Sequence, residues 1–262
     1  MRHIKDISYS KSGHASQVLD LYLPDEKSFA SFVYFHGGGL ENGDKEKAES
    51  SLMANYLTQH GVALATANYR LYPEAKYPEF IEDAANAVAW VKQHIGEYGG
   101  GDRIYVGGSS AGGYLSMMLC FDAHYLALHG IDPVSLGGFV HDAGQPTKHF
   151  NVLRECGLDT RRVIVDETAP LYHVGKAPSY PPMLFIVSDN DMQNRYEQTM
   201  LMRSTLLHFG HPQDRMLLKV MHGGHCSYVK QIDENGDSLF GKLVMDFINC
   251  SVQTSKRRML DP

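Results

Sequence analysis

The sequence predicts an α/β protein: a mostly parallel sheet of eight strands, flanked by helices, with a small insertion. Three observations carry this. Short apolar runs alternate with longer amphipathic ones, the pattern of strand–helix–strand units. Several runs close on glycines, as strands and helices do before a turn. The 262 residues, 43% hydrophobic and 21% charged, suit one sizeable core without metal or disulfide staples.

The elements follow in order. "IKDISYS" and "QVLDLYLP" read as an opening hairpin, and "SFVYFHGG" as a buried strand ending in glycines. "KAESSLMANYLTQHG" has helical spacing with Gly61 as its stop, and "VALATANYRL" is the next strand. "PEFIEDAANAVAWVKQHIGEYGG" predicts a strong helix. Pro78 opens it, acids fill its first turn, and Ile81, Ala84, Ala85, Val88 and Val91 recur at helical spacing. "RIYVGG" is a strand and "AGGYLSMMLCFDAHYLALHG" a helix. "SLGGFVHD", "MLFIVSD" and "RMLLKVMHGG" complete the strands, with helices near 193–208 and 237–249. Residues 143–182 are irregular and proline-containing, and read as a cap-like insertion over one sheet edge. Residues 1–262 read as a single domain without internal repeats.

Composition excludes some function classes. A net charge of −6 and a pI near 6.1 give no support for nucleic-acid binding. The polar start, "MRHIKDISYSKSGHASQ", lacks the apolar core of a secretory signal, and the apolar runs are strand-sized. Neither export nor a membrane partner is expected. Cys120, Cys156, Cys226 and Cys250 are widely spaced, which predicts thiols in a reducing cytoplasm. His141 with His149, or His222 with His225, could ligate a metal, but no HExxH or zinc-spaced Cys/His set exists. No metal or cofactor is expected.

Chemistry concentrates at "RIYVGGSSAGGYL", residues 103–115. Gly108-Ser109-Ser110-Ala111-Gly112 fits G-x-S-x-G where a strand gives way to a helix. A serine that attacks a carbonyl must stand clear of the sheet on a tight turn, which leaves no room for side chains two residues away. The helix start adds partial positive charge where an anion would form. Ser109 should point away and serve structure. The stretch lacks the lysine of a phosphate loop and the spacing of a dinucleotide fingerprint.

"VYFHGGGLENG" places a second glycine cluster after an earlier strand. A tetrahedral intermediate needs backbone N–H groups aimed at its oxyanion, and glycines let the backbone approach. Ala111, Gly38 and Gly39 are the candidate donors, with Gly37 still open. His36 should hold this loop rather than act as a base.

"NYRLYPEAKYPEFIEDAANAVAWV" follows a Y-R-L-x-P-E…P pattern. With "HGGG" upstream and "GSSAGG" downstream, the chain resembles the hormone-sensitive-lipase-like branch of the α/β-hydrolases. "VLDLYLP" and "ETAPLYHV…PPMLFIVSDND" also resemble the compact feruloyl- and carbohydrate-esterase relatives, so the likeness covers roughly 18–228. The resemblance implies the α/β-hydrolase fold and a catalytic serine, acid and histidine in that chain order. Ser110 is the nucleophile. The acid is Asp189 or Asp191, and Asp191 matches the family's offset better. The base is His222 or His225, and His225 fits better, with Cys226, Ser227 and Tyr228 behind it.

The implied activity is that of a serine carboxylesterase acting on a small-molecule ester. Only 35 residues precede His36, so no large N-terminal cap is expected. A small cap implies short acyl groups, such as acetyl esters of small alcohols or sugars. An amidase of kynurenine-formamidase type, or a binding protein with a broken triad, are the competing readings. A homodimer is an option the resemblance leaves open. Ser109, Leu40 and Met192-Gln193 depart from the family's usual residues.

Overall fold

The computed structural model describes residues 1–260, without the side chains of 48, 49 and 253–260. Eight strands form one sheet: β1 (Arg2–Ser8), β2 (Val18–Leu23), β3 (Phe29–Phe35), β4 (Val62–Ala67), β5 (Gly100–Ser109), β6 (Gly138–Asp142), β7 (Met183–Asn190) and β8 (Met216–Gly224). They lie side by side in the order β1-β2-β4-β3-β5-β6-β7-β8. β2 pairs antiparallel with both β1 and β4, and the remaining pairs are parallel, so β2 alone runs against the others. The hairpin and the eight strands are those the sequence predicts.

The helices are α1 (Ala48–Gln59), α2 (Glu79–His94), α3 (Ala111–Phe121), α4 (His124–Ala127), α5 (Phe150–Glu155), α6 (Arg195–His208) and α7 (Leu239–Leu260). The single helix expected over 111–130 is broken. Asp122 takes an extended ψ of 86° and its carboxylate bonds the His124 ring at 2.6 Å, a local bond that competes with the helix. The segment 143–182 carries α5 and a 3-10 turn at Pro170–His173.

Strand alternation builds two cores. Val33 and Phe35 face one side with Ile81 and Val88 of α2, Leu115 of α3 and Met202 of α6. Phe32 and Tyr34 face the other with Leu57 of α1 and Phe240, Val244 and Phe247 of α7. A central parallel sheet covered on both faces explains why its strands read as continuous apolar runs.

The Y-R-L-x-P-E…P stretch locks the centre of this frame. Arg70 Nε and Nη2 donate to Asp83 at 2.8 and 2.9 Å, and Nη1 donates to Glu79 at 3.1 Å. Asp83 lies fully buried in α2 and also accepts from Gln17 Nε2 and the Arg70 backbone N–H. Removing one partner would leave the others desolvated and unpaired. Asp83→Ala should therefore lower the unfolding free energy by about 3–5 kcal/mol, read from urea titrations. A loss within experimental error would show that water reaches this pair.

Candidate active site

β5 ends directly on Ser110, whose backbone sits at φ 56° and ψ −111°, a region that costs a non-glycine residue strain. Its N–H donates to the Asp142 carbonyl at 2.7 Å, which fixes the turn against β6. The flanking glycines are sterically required. A Cβ on Gly112 would lie 2.0 Å from the Phe35 carbonyl oxygen, and one on Gly108 2.5 Å from Gly112. The turn therefore lifts the Ser110 hydroxyl off the sheet over the N-terminus of α3.

The β7–β8 pairing supplies the partners. Asn190 lies opposite Gly224, so the residues just beyond each strand end meet. There His225 Nδ1 contacts Asp191 Oδ1 at 2.5 Å and His225 Nε2 contacts Ser110 Oγ at 2.8 Å. A carboxylate only accepts, so Nδ1–H donates to Asp191 and Nε2 accepts from the serine hydroxyl. The Asp191 side chain is 1% exposed. Its burial raises the carboxyl pKa, but hydrogen bonds from His225 and from the N–H groups of Ser188 and Met192 outweigh this and hold it below its ordinary value.

The competing pair lies elsewhere. Asp189 and His222 bond each other at 2.7 Å, with the His222 side chain 97% exposed. Their mutual bond raises the histidine pKa and contributes to lowering that of Asp189, whose largest cause is the Gly223 N–H. Neither residue makes a bond to Ser110 among those the structure describes.

The glycine loop after β3 closes over the serine. A Cβ on Gly37 would lie 3.1 Å from Ser110 Cβ. Gly38 and Gly39 both have positive φ, 128° and 67°, and a Cβ on Gly38 would strike the Asn42 carbonyl at 1.7 Å. Ala111 opens α3, where an N–H has no acceptor within the helix. His36 is buried and holds the loop: its Nδ1 bonds the Gly37 carbonyl at 2.8 Å and its ring stacks on Tyr69 at 4.5 Å. Tyr69 in turn donates to the His36 carbonyl at 2.8 Å, so the Y-R-L stretch supports the glycine loop.

Three supports were not singled out as functional from the sequence. Asn151 at the start of α5 donates to the Gly39 carbonyl. Asp142, fully buried at the end of β6, accepts hydrogen bonds from Ser109 Oγ and the Tyr228 hydroxyl, and Tyr34 donates to Ser109 at 3.0 Å. Burial pushes the Asp142 carboxyl up to about 6 despite those bonds. Arg195, at the start of α6, is 5% exposed and bonds the Ala143 carbonyl at 2.7 Å. An acid at the carboxyl end of a parallel strand, as in "FVHDAG", was the one available signal, since sites in such sheets gather there.

Comparison with known proteins places this geometry. Esterase B from Lactobacillus rhamnosis superimposes over 98% of this chain and 88% of its own, with a TM-score of 0.76 at 19% identity. The chain has the α/β-hydrolase fold. The BD-FAE family model matches residues 19–132 of this chain. A probable carboxylic ester hydrolase, LipM of Mycobacterium tuberculosis, is 40% identical over 121 residues, 44% of this chain and 28% of LipM. The chain thus spans little more than a quarter of that relative's length. The butyrate-bound Est2 of Thermogutta terrifontis superimposes over 93% of this chain and 92% of its own, with a TM-score of 0.71 and 20% identity. The matches bear out the resemblance to ester-hydrolysing α/β-hydrolases. Among the described residues, no helix is long and apolar enough to cross a membrane.

Proposed function

We propose that this α/β-hydrolase is a serine carboxylesterase acting on short-chain acyl esters. The carrying observation is the continuous relay from Asp191 through His225 to Ser110, closed by contacts of 2.5 and 2.8 Å. Ser110 Oγ attacks the ester carbonyl carbon while His225 Nε2 takes its proton. The carbonyl oxygen becomes an oxyanion, held by the N–H groups of Gly38, Gly39 and Ala111. His225 then gives its proton to the departing alcohol, which leaves an acyl group on Ser110. Water enters, His225 takes a proton from it, and the second collapse releases the acid and restores the serine. Asp191 keeps Nδ1–H oriented and stabilises the imidazolium formed in each half.

Short acyl groups are supported by the walls of the site. Phe150 packs where a Cβ on Gly39 would come within 3.0 Å of its ring, and Met192 follows the catalytic acid. The Est2 match was determined with butyrate bound. A cytoplasmic location fits the four cysteines, none of which forms a disulfide. A series of p-nitrophenyl esters from acetate to octanoate tests the chain-length reading. The expected profile peaks at acetate or butyrate and drops about tenfold by octanoate, since a methylene that the pocket does not fit costs about 1–3 kcal/mol. Octanoate turnover equal to that of butyrate would overturn it, and cleavage of N-formyl-kynurenine in preference to every ester would reassign the site as an amidase.

A further inference from the structure

A cavity of about 300 Å³ lies between the start of α6 and the 143–182 segment. Phe150, which packs on the glycine loop, and Met192, which follows the catalytic acid, both line it, so it borders the reaction centre. Its size is at the lower end for a ligand pocket. Its charge is one-sided. Arg161, Arg162 and Arg195 line it, and no lining residue is acidic.

The three guanidinium groups differ. Arg161 is already neutralised by Asp159, with bonds of 2.6 and 3.0 Å. Arg162 stands exposed at the rim; it feels the charge of Asp159 but forms no ion pair with a carboxylate among the described residues. Arg195 is the unusual one. A buried guanidinium is costly unless paired, and Arg195 donates to a neutral carbonyl, that of Ala143. Burial pulls its pKa down to about 10, so it stays charged at neutral pH. The charge of Asp191 acts favourably on it, but Asp191 is already committed to His225 and two backbone N–H groups.

We propose that this cavity binds a carboxylate carried by the substrate, with Arg195 and Arg162 as its partners. The ester opened at Ser110 is then either a half-ester of a short dicarboxylic acid or an acylated hydroxy acid. Guanidinium and carboxylate pair through charge-assisted, often two-pronged hydrogen bonds, which suits a small anion at the end of a short chain. This assignment rests on the esterase reading and specifies its substrate class.

Two matched pairs of esters test it. Mono-(4-nitrophenyl) glutarate is compared with 4-nitrophenyl pentanoate, which puts the charge on the acyl arm. 4-Acetoxybenzoate is compared with phenyl acetate, which puts it on the alcohol arm. In about 20 mM salt, one charged ester should exceed its neutral partner in kcat/KM by about tenfold, and about 0.5 M salt should erode that ratio. Arg162→Gln and Arg195→Lys should each lower the ratio about fivefold. If the neutral esters turn over and neither charged one exceeds its partner, the carboxylate site is rejected while the esterase reading stands. A charge preference unchanged in both variants rejects these arginines as its source. No turnover of any of the four esters rejects the esterase reading and this assignment together.

Discussion

Ser110→Ala should lose about six orders of magnitude in kcat on 4-nitrophenyl acetate, down to the background set by the oxyanion donors and binding alone. The size follows from the relay. Without the hydroxyl no acyl-enzyme forms, and His225 Nε2, now 2.8 Å from nothing it can deprotonate, has no nucleophile to activate. His225→Ala should cost about as much, because the two groups act as one unit and their losses do not add. Asp191→Asn should cost about 10⁴, since an amide at that position favours the wrong imidazole tautomer. Single-turnover kinetics with trapping of the acyl group on Ser110 gives the check. A Ser110→Ala enzyme that retains even a hundredth of wild-type kcat would show that another group attacks the ester. An Asp189→Asn enzyme that falls as far as Asp191→Asn would move the acid to the exposed pair.

The turn that carries Ser110 was legible because its steric needs are local. Gly108 and Gly112 are forced by close contact with the end of β3 and with each other, and such forcing leaves a short spaced pattern in the chain. The glycine loop was legible for the same reason. The choice between Asp189 and Asp191 was not a matter of spacing, as one is the penultimate residue of β7 and the other lies just beyond its end. It was decided by the register of β7 on β8, and only the family's offset anticipated it. The supports were hidden further. Asn151 reaches the Gly39 carbonyl across 112 residues of chain, and Tyr228 reaches Asp142 across 86. A single asparagine or tyrosine carries no mark of such a partner. The break of the helix at Asp122 was missed because its apolar spacing continues, while one side-chain bond decides the backbone.

Acid should destabilise this protein at pH values where most of its carboxylates are still ionised. His36, His141 and His149 are each 2% exposed or less. Burial disfavours the imidazolium and lowers them to about 4, about 3 and about 3, with Arg195 and Arg154 adding to the effect at His149. In the unfolded chain each would take up its proton near 6.5. The folded state therefore binds fewer protons in this window, and the stability these residues contribute is complete above pH 6.5 and lost as the pH falls. By pH 5 each has cost about 2 kcal/mol, or about 6 kcal/mol for the three. Asp142 works the other way. Its carboxyl, raised to about 6, takes up a proton in the folded state first and offsets about 1 kcal/mol of that loss. The remaining 5 kcal/mol or so is a large part of the roughly 5–15 kcal/mol that holds a domain folded. Urea titrations should thus give an unfolding free energy about 5 kcal/mol lower at pH 5 than at pH 7.5. His141 packs among Phe121, Phe139 and Phe185, and its Nε2 is buried without a bond. His141→Phe should keep that packing and shrink the pH difference by about 2 kcal/mol, because one of the three proton-uptake sites is gone. Equal stability at the two pH values, or an undiminished difference in the phenylalanine variant, would mean that these imidazoles gain their protons without unfolding the core.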